Sequence, residues 1–517
     1  MILVGKILLA VCGALACALQ LWQFLHMLQL NSYRPERYRR WRRENIGRIF
    51  GGRIVAPLLC GAAAALVSVW EWMLLLAGAV LLVGAAATRP PRAKKPLVVT
   101  ARVKRQMVTL ALLHLGAGAA LWFAPAWALA AGVALLVLLA PWSAALALWI
   151  NEPLERANAR RYVQQARRKL QAMPELLVIG ITGSYGKTST KYFLHDLLAA
   201  RYNVQMTPES YNTLMGVVRT VRESLRPSTR IFLAEMGAKN VGDIKEICDL
   251  VCPQMGIITS IGEQHLETFG SLDNIIATKF ELADALPPSG KLFANLDNDH
   301  IRNRAVSVPT VGYGVQQAVQ GGYYADDIQV DLNGSSFTVH TPQGESRRFT
   351  TCLLGEHNIQ NLVGCIAVAH QLDIPLEELV YPVRRLKPVP HRLQLTNGGY
   401  IDDAYNSNPA GFRSALRVLK AFDAQRVLVT PGMVELGERQ YALNRELGAF
   451  AADCCDIAVL VGPRQAPPLQ EGLLQAGFDA ANIYVASDLQ DALRFVRALP
   501  ATSKRIVLLE NDLPDNF

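Results

Sequence analysis

Apolar and polar positions divide this chain into two unlike parts. Residues 1–150 hold almost all of the long apolar runs, about 2–30, 54–70, 72–88, 107–123 and 127–150. A membrane-spanning helix needs ~20 apolar residues, in a range of about 17–25. The first and last runs meet that length, and the middle three lie at or just below its lower limit. Glu71 is the only charge between Ile54 and Thr88, which predicts a helical hairpin with its tip at Glu71-Trp72. Pro125 marks the tip of a second hairpin. The first run is too long for a cleaved signal peptide. Lys and Arg cluster in 31–53, 89–106 and 151–169, and the two tips carry none. Positively charged loops stay cytoplasmic. The expectation is therefore a helical domain of about five transmembrane helices at 1–150, multi-pass in a bacterial cytoplasmic membrane and in contact with membrane lipids, with everything after Asn151 cytoplasmic.

From residue 151 the pattern is that of an ordinary α/β chain. A basic linker helix is expected at 151–173. Leu176-Leu177-Val178-Ile179-Gly180-Ile181 then reads as a short buried strand. Strand and helix patterns alternate through 174–385, which predicts a parallel sheet covered on both faces. The stretch 319–352 reads as a small antiparallel insertion. Leu386-Lys387-Pro388-Val389-Pro390 is a proline-marked hinge to a smaller, Rossmann-like α/β domain at 386–517. Its strands are Val427-Leu428-Val429, Ile457 to Val461 and Ile506 to Leu509.

Composition narrows the function classes. With 51% apolar and 18% charged residues, the 517-residue chain is neither disordered nor collagen-like. The net charge of +9 sits mostly beside the apolar runs, so it argues for membrane orientation and against nucleic acid as a partner. Nine cysteines form no CxxC pair, which excludes a disulfide framework and a zinc site of that pattern.

The strand 176–181 runs straight into Thr182-Gly183-Ser184-Tyr185-Gly186-Lys187-Thr188-Ser189-Thr190, and a helical pattern follows with Phe193, Leu194, Leu197 and Leu198 on one face. Strand, glycine turn, Lys-Thr and helix is the arrangement that cradles phosphates with backbone N–H groups and a helix N-terminus. Gly183, Ser184, Tyr185, Gly186 and Ser189 line such a loop, Lys187 reaches the β- and γ-phosphates, and the Thr188 hydroxyl touches Mg²⁺. The loop is a shortened G-x-x-G-K-T, with Ile181 where the usual loop has its first glycine.

Further motifs follow in order: Tyr211-Asn212-Thr213, Ala234-Glu235-Met236-Gly237, Gln264-His265-Leu266-Glu267-Thr268-Phe269-Gly270-Ser271, Ala277-Thr278-Lys279, Asn295-Leu296-Asp297, Gly355-Glu356-His357-Asn358-Ile359-Gln360-Asn361, Pro390-His391-Arg392, and Ile401-Asp402-Asp403-Ala404-Tyr405-Asn406-Ser407-Asn408-Pro409. With the loop they resemble the Mur ligase family over about residues 174–460, most closely its MurF-type branch. That branch joins D-alanyl-D-alanine to a UDP-linked muramoyl tripeptide. The resemblance implies an ATP-dependent ligase that phosphorylates a carboxylate, lets an amine attack the acyl phosphate, and releases ADP and phosphate. It implies ATP and Mg²⁺ as cofactors. Its partners are a cell-wall precursor (a UDP- or lipid-linked muramoyl peptide) and an amino acid or dipeptide.

Residue by residue, the resemblance makes Glu235 the magnesium carboxylate and His265 the histidine at a second magnesium. Lys279 is the lysine that most branches carbamylate, a physically sensible choice because a carbamate binds magnesium and an ammonium does not. Asn295 lies near the adenine, Asn358 and Asn361 close the nucleotide site, and Arg392, Asp403, Tyr405 and Asn406 reach ATP from the C-terminal domain. Catalysis is thereby assigned to Lys187, Glu235, His265, Lys279, Arg392 and Asp403, and metal binding to Thr188, Glu235, His265 and Lys279. Asn358 and Asn361 can also be read as caps of the helix that follows, and Arg392 and Asp403 as partners in interdomain ion pairs. No residue stands out as a base that takes the amine's proton.

The family's UDP-binding N-terminal domain has no counterpart here, Thr430-Pro431-Gly432-Met433 replaces the branch's glycine-aspartate-methionine strand end, and the branch's terminal motif gives way to Leu508-Leu509-Glu510-Asn511-Asp512. The phosphate-handling half is intact while both recognition ends differ. Two alternatives follow, a related ligase for another polymer such as a polyglutamate and a P-loop ATPase driving the membrane domain.

Overall fold

The computed structural model describes residues 2–47, 73–87, 96–264, 266–331, 334–396, 398–405, 407–434, 436–463, 465–500 and 504–512. The expected apolar run 54–70, the tip at Glu71-Trp72, His265 and Asn406 lie outside the described residues.

One compact unit ends at Arg160 and a second begins at Arg161. In the first, helices Ile2–Leu30, Pro35–Glu44, Met73–Ala87, Ala101–Trp122 and Ala126–Leu138 precede the long helix Ala140–Gln171. Leu9, Ala16, Leu74, Ala77, Leu81, Leu129 and Val133 form one of its cores. The five-span, multi-pass membrane placement expected from the apolar runs needs correction. Among the described residues one helix, Ile2–Leu30, is long and apolar enough to cross a bilayer, or two spans if the bent pair Ala126–Leu138 and Ala140–Gln171 counts as one. At 1.5 Å per residue, the 15 residues of Met73–Ala87 reach about 22 Å, short of a core of about 30 Å. The helix Ala101–Trp122 opens with Arg102, Lys104 and Arg105, which removes its first turn from the apolar stretch. The last run breaks at Leu139 by 68°. The last apolar run and the basic linker are one continuous helix with Pro153 inside it.

The second unit contains two sheets. Strands β1 (Leu177–Thr182), β2 (Val204–Met206), β3 (Ile231–Glu235), β4 (Met255–Ile258), β5 (Lys291–Asn295), β6 (Thr310–Gly314), β7 (Tyr323–Asp331), β8 (Gly334–His340) and β9 (Ser346–Thr351) join in the order β2-β3-β1-β4-β5-β6-β7-β8-β9. Pairing is parallel from β2 to β7 and antiparallel from β7 to β9. The antiparallel insertion expected near 319–352 is thus the edge of the main sheet.

Side chains alternate across a strand, and burial on both faces follows. Ile179, Ile181, Leu233 and Phe293 meet Phe193, Leu194 and Leu197 of helix Lys187–Leu198, and Ile359, Leu362 and Ile366 of helix Glu356–Gln371. Val178, Phe232 and Ala234 face the other way, onto Val217, Val221, Ile244, Ile247 and Leu282.

The second sheet holds β10 (Gln394–Thr396), β11 (Tyr400–Asp403), β12 (Gln425–Thr430), β13 (Ile457–Val461), β14 (Ile483–Ala486) and β15 (Arg505–Glu510), in the order β10-β11-β15-β12-β13-β14. All pairs but the first are parallel. Helices Pro409–Lys420, Gln440–Ala451 and Ala466–Gln475 cover one face through Leu416, Leu447 and Leu469. Helix Leu489–Ala498 covers the other through Ala492 and Val496. The three strands read from the sequence are β12, β13 and β15. The chain returns from β14 at the edge to insert β15 between β11 and β12, so the carboxyl ends of those strands form a crevice of the kind that binds ligands in α/β sheets.

Candidate active site

The site begins where β1 ends. Gly183 has φ +149° and Gly186 φ +81°, backbone that L side chains rarely adopt. A Cβ on Gly183 would lie 2.0 Å from Thr259 Oγ1, and one on Gly186 2.5 Å from Asn361 Oδ1. The loop is tied to the segment after β4. The Ser184 amide donates to the Ser260 carbonyl at 2.6 Å, the Ser184 hydroxyl to the Gly262 carbonyl at 3.0 Å, and the Tyr185 hydroxyl to the Glu263 carbonyl at 2.8 Å. Ser189 is buried in the first turn of the helix.

Lys187 folds back over this loop. Its Nζ donates to the carbonyls of Gly183 at 2.7 Å and Ser184 at 3.0 Å. Burial pushes the ammonium down to about 8, with Arg392 adding to that effect and Glu235 opposing it. Phosphate oxygens are stronger acceptors than carbonyls, so these two contacts are the ones an anion would replace.

Glu235 closes β3 and is the register neighbour of Ile181. Its carboxylate is buried. Oε1 accepts from the Thr188 hydroxyl at 3.1 Å and from Asn212 Nδ2 at 3.0 Å. Oε2 lies 2.9 Å from Lys191 Nζ, an ion pair whose direction leaves this oxygen without a hydrogen bond. Thr188 and Glu235 are thus a hydroxyl and a carboxylate brought together, the oxygen donors that a small hard cation takes. Among the described residues no three His, Cys, Asp or Glu side chains converge, so the remaining ligands of such a cation would be phosphate oxygens, water or a modified side chain.

Lys279 sits on helix Leu272–Asp284 and is 3% exposed. Burial, with Lys187 next, holds its ammonium well below the usual lysine range against the opposing charges of Asp243 and Glu281. A shift in that direction favours the neutral amine, the form that can react with CO₂.

The asparagines separate. Asn361 lies against Gly186 of the phosphate loop. Asn358, in the first turn of helix Glu356–Gln371, donates to the Leu354 carbonyl at 2.8 Å, and the N-cap of that helix is Gly355 with no side-chain cap bond. Asn295 donates to the Thr259 carbonyl at 2.7 Å and accepts from the Asp297 amide at 3.1 Å.

From the second sheet, the Arg392 guanidinium stacks 4.4 Å over the Tyr405 ring, and its charge bears on Lys187, Lys191 and His357. Asp403 Oδ1 accepts from the Leu393 amide at 3.0 Å. The structure therefore brings Lys187, Thr188, Glu235, Lys279, Asn361 and Arg392 toward one region. Asn295 and Asn358 each bond to nearby backbone.

Sequence reasoning missed the roles of three residues here. Lys191 pairs with Glu235, and its spacing of four from Lys187 on one helix was the available signal. His357 bonds Ser414 at 2.7 Å and is pushed down to about 4 by burial, with Arg392 adding to it. Glu510 ends β15 opposite Asp403 and accepts from the Ser407 hydroxyl at 2.6 Å. Its place after Val507-Leu508-Leu509 repeats the way Glu235 follows Phe232-Leu233-Ala234.

Comparison with known proteins gives the same division. Residues 181–369 match the Mur ligase middle domain, and residues 391–510 match the Mur ligase, glutamate ligase domain. Through these two domains the chain belongs to the Mur ligase family. It is similar to the UDP-N-acetylmuramoyl-tripeptide–D-alanyl-D-alanine ligase of Bacillus subtilis (strain 168), at 32% identity over 278 residues, 53% of this chain and 59% of that one. The Escherichia coli (strain K12) enzyme of the same name is 32% identical over 280 residues, 53% of this chain and 62% of its own. The chain thus spans about three fifths of the length of these curated relatives. The crystal structure of MurF from Acinetobacter baumannii superposes with a TM-score of 0.62 at 28% identity, covering 68% of this chain and 77% of that one. The Mur ligase match ends at Glu510, the residue that faces Asp403.

Proposed function

We propose that this Mur ligase domain pair forms an amide bond at the expense of ATP, joining D-alanyl-D-alanine or a similar amine to the carboxylate of a muramoyl peptide. The observation that carries the reading is the phosphate loop set against Glu235, with Thr188 and the carboxylate 3.1 Å apart and Lys187 poised over the loop carbonyls. The named relatives, which are D-alanyl-D-alanine ligases, support the choice of substrates.

In this reading Gly183 to Gly186 and the N-terminus of helix Lys187–Leu198 receive the polyphosphate. Lys187 exchanges its carbonyl contacts for phosphate oxygens and stabilises the charge that develops as the phosphoryl group passes to the carboxylate. Thr188 and Glu235 would hold Mg²⁺, and Lys279, if carbamylated, would add an anionic oxygen to that site. The metal's contribution is to offset repulsion between the polyphosphate and the carboxylate. Arg392, just before β10, would supply a further cation near Lys187 and Lys191. Attack by the amine on the acyl phosphate forms the C–N bond, breaks the C–O bond to phosphate and releases a proton.

The test is ADP release by the purified full chain with UDP-linked muramoyl tripeptide and D-alanyl-D-alanine. Release that requires both substrates supports the reading, and release that needs neither sinks it. Glutamate in place of the dipeptide tests the polyglutamate alternative in the same assay.

A further inference from the structure

Helix Lys187–Leu198 carries a second lysine one turn beyond Lys187, and the spacing of four places both on one face. Lys191 is 0% exposed. A fully buried ammonium is tolerated only when it is paired and hydrogen-bonded. Its Nζ lies 2.9 Å from Glu235 Oε2 and also donates to the Glu209 carbonyl. Glu209 has φ +43°, a left-handed conformation uncommon for a residue with a side chain, so the loop after β2 is bent where it delivers that carbonyl. The same loop supplies Asn212 to the other carboxylate oxygen.

The two oxygens of Glu235 are therefore divided. Oε1 faces Thr188 and Asn212, and Oε2 faces the lysine. The charges bearing on Lys191 from neighbouring elements are Glu235 on β3, Glu209 in the loop after β2 and Arg392 from the second sheet.

We propose that Lys191 is a positioning residue of the metal site: it anchors Glu235 through Oε2, leaves Oε1 turned to Thr188, and by its own charge keeps divalent-cation affinity low until polyphosphate enters. The proposal rests on the reading of Glu235 as the magnesium carboxylate. A buried unit charge this close to the carboxylate repels an arriving dication in a medium where screening is weak. Polyphosphate oxygens offset that repulsion, so metal and nucleotide enter together and the carboxylate remains paired between turnovers.

The experiment is a titration of the full chain with Mn²⁺ followed by electron paramagnetic resonance, with and without ADP. Without nucleotide, Lys191→Met is expected to bind Mn²⁺ at least ~tenfold tighter than the unsubstituted chain, and Lys191→Arg to keep the weak binding. With ADP the difference narrows. The melting temperature of metal-free Lys191→Met falls and recovers with saturating Mn²⁺, because a ligand bound only by the folded state stabilises it. If Lys191→Met does not fold, Lys191→Gln, which removes the charge and keeps a donor, serves the same titration. Unchanged or weaker nucleotide-free Mn²⁺ binding by a folded, uncharged variant overturns the proposal and leaves the metal reading standing. With ADP present, Glu235→Gln binding Mn²⁺ as tightly as the unsubstituted chain overturns the metal reading, and the proposal with it.

Discussion

Two glutamates end parallel strands in the two sheets, and their surroundings are opposite. Glu235, at the end of β3, is encircled by donors: a hydroxyl, an amide and an ammonium. Glu510, at the end of β15, stands beside another carboxyl group, Asp403, with one hydroxyl donor from Ser407 and Oε2 without a hydrogen bond. Burial and then Asp403 hold the Glu510 carboxyl well above the usual range. Burial likewise pushes Asp403 up to about 6, against the Leu393 amide and Arg392. The first strand end is lined with donors, and the second is organised to hold a proton, through burial first and the neighbouring carboxyl group next.

The largest expected effect breaks the first end. Lys187→Ala should lower ATP-dependent turnover by ~10²-fold or more, because it removes a charge-assisted phosphate contact at the transition state. Near-normal ADP release by that variant would remove the nucleotide site from this strand end.

Lys279→Ala should cost on the order of 10²-fold in turnover if an anionic ligand beside the metal is lost, with partial recovery on adding bicarbonate or a short carboxylate. Intact-protein or peptide mass spectra of the Mg²⁺–ATP state that contain only bare Lys279 would remove the carbamate from the site.

Gly186→Ala places a side chain at φ +81° and against Asn361 Oδ1. Urea unfolding should register a loss of about 1–3 kcal/mol. Adding Asn361→Ala should recover the steric share and leave the conformational share. A single substitution with an unshifted midpoint would show that the loop is not held as described.

The smallest effect sharpens the contrast by titration. Asp403 is raised in the folded state, so the folded protein keeps a proton that the unfolded chain sheds near pH 4. Its contribution to stability is fully present below that value and is lost as pH rises through about 6. Glu510→Gln removes a second carboxyl group that burial and Asp403 hold well above the usual range, and with it that group's own share of the pH dependence, while the Asp403 share, set mainly by burial, remains. The variant should gain about 1–2 kcal/mol over the unsubstituted chain at pH 8 and almost nothing at pH 4. Denaturant midpoints measured across that range check it, and a gain equal at both ends would show that Glu510 is not held above the usual range.

The sequence by itself determined whatever depends on near neighbours in the chain. Strand Leu177–Thr182, the glycine turn and the buried face of Phe193, Leu194, Leu197 and Leu198 follow from local periodicity and from backbone conformations that favour glycine. Lys187, Thr188, Glu235 and Lys279 were legible because they sit in ordered motifs, and the second α/β domain because a proline-marked hinge precedes three apolar strands. Tertiary structure alone decided the pairings. Lys191 needs Glu235 from another strand, and Glu510 becomes half of a carboxyl pair only because β15 inserts next to β11. It also put Asn361 against Gly186 of the phosphate loop and Asn358 on the Leu354 carbonyl just before its helix, two residues of one type three positions apart. In the N-terminal part, hydropathy reported how apolar each stretch is, and the structure reported where each helix starts, ends and bends. Helix ends depend on caps, on charges in the first turn and on the bend at Leu139, and the count of spans depends on those ends. Composition constrains neither, because burial and pairing are set by residues far apart in the chain.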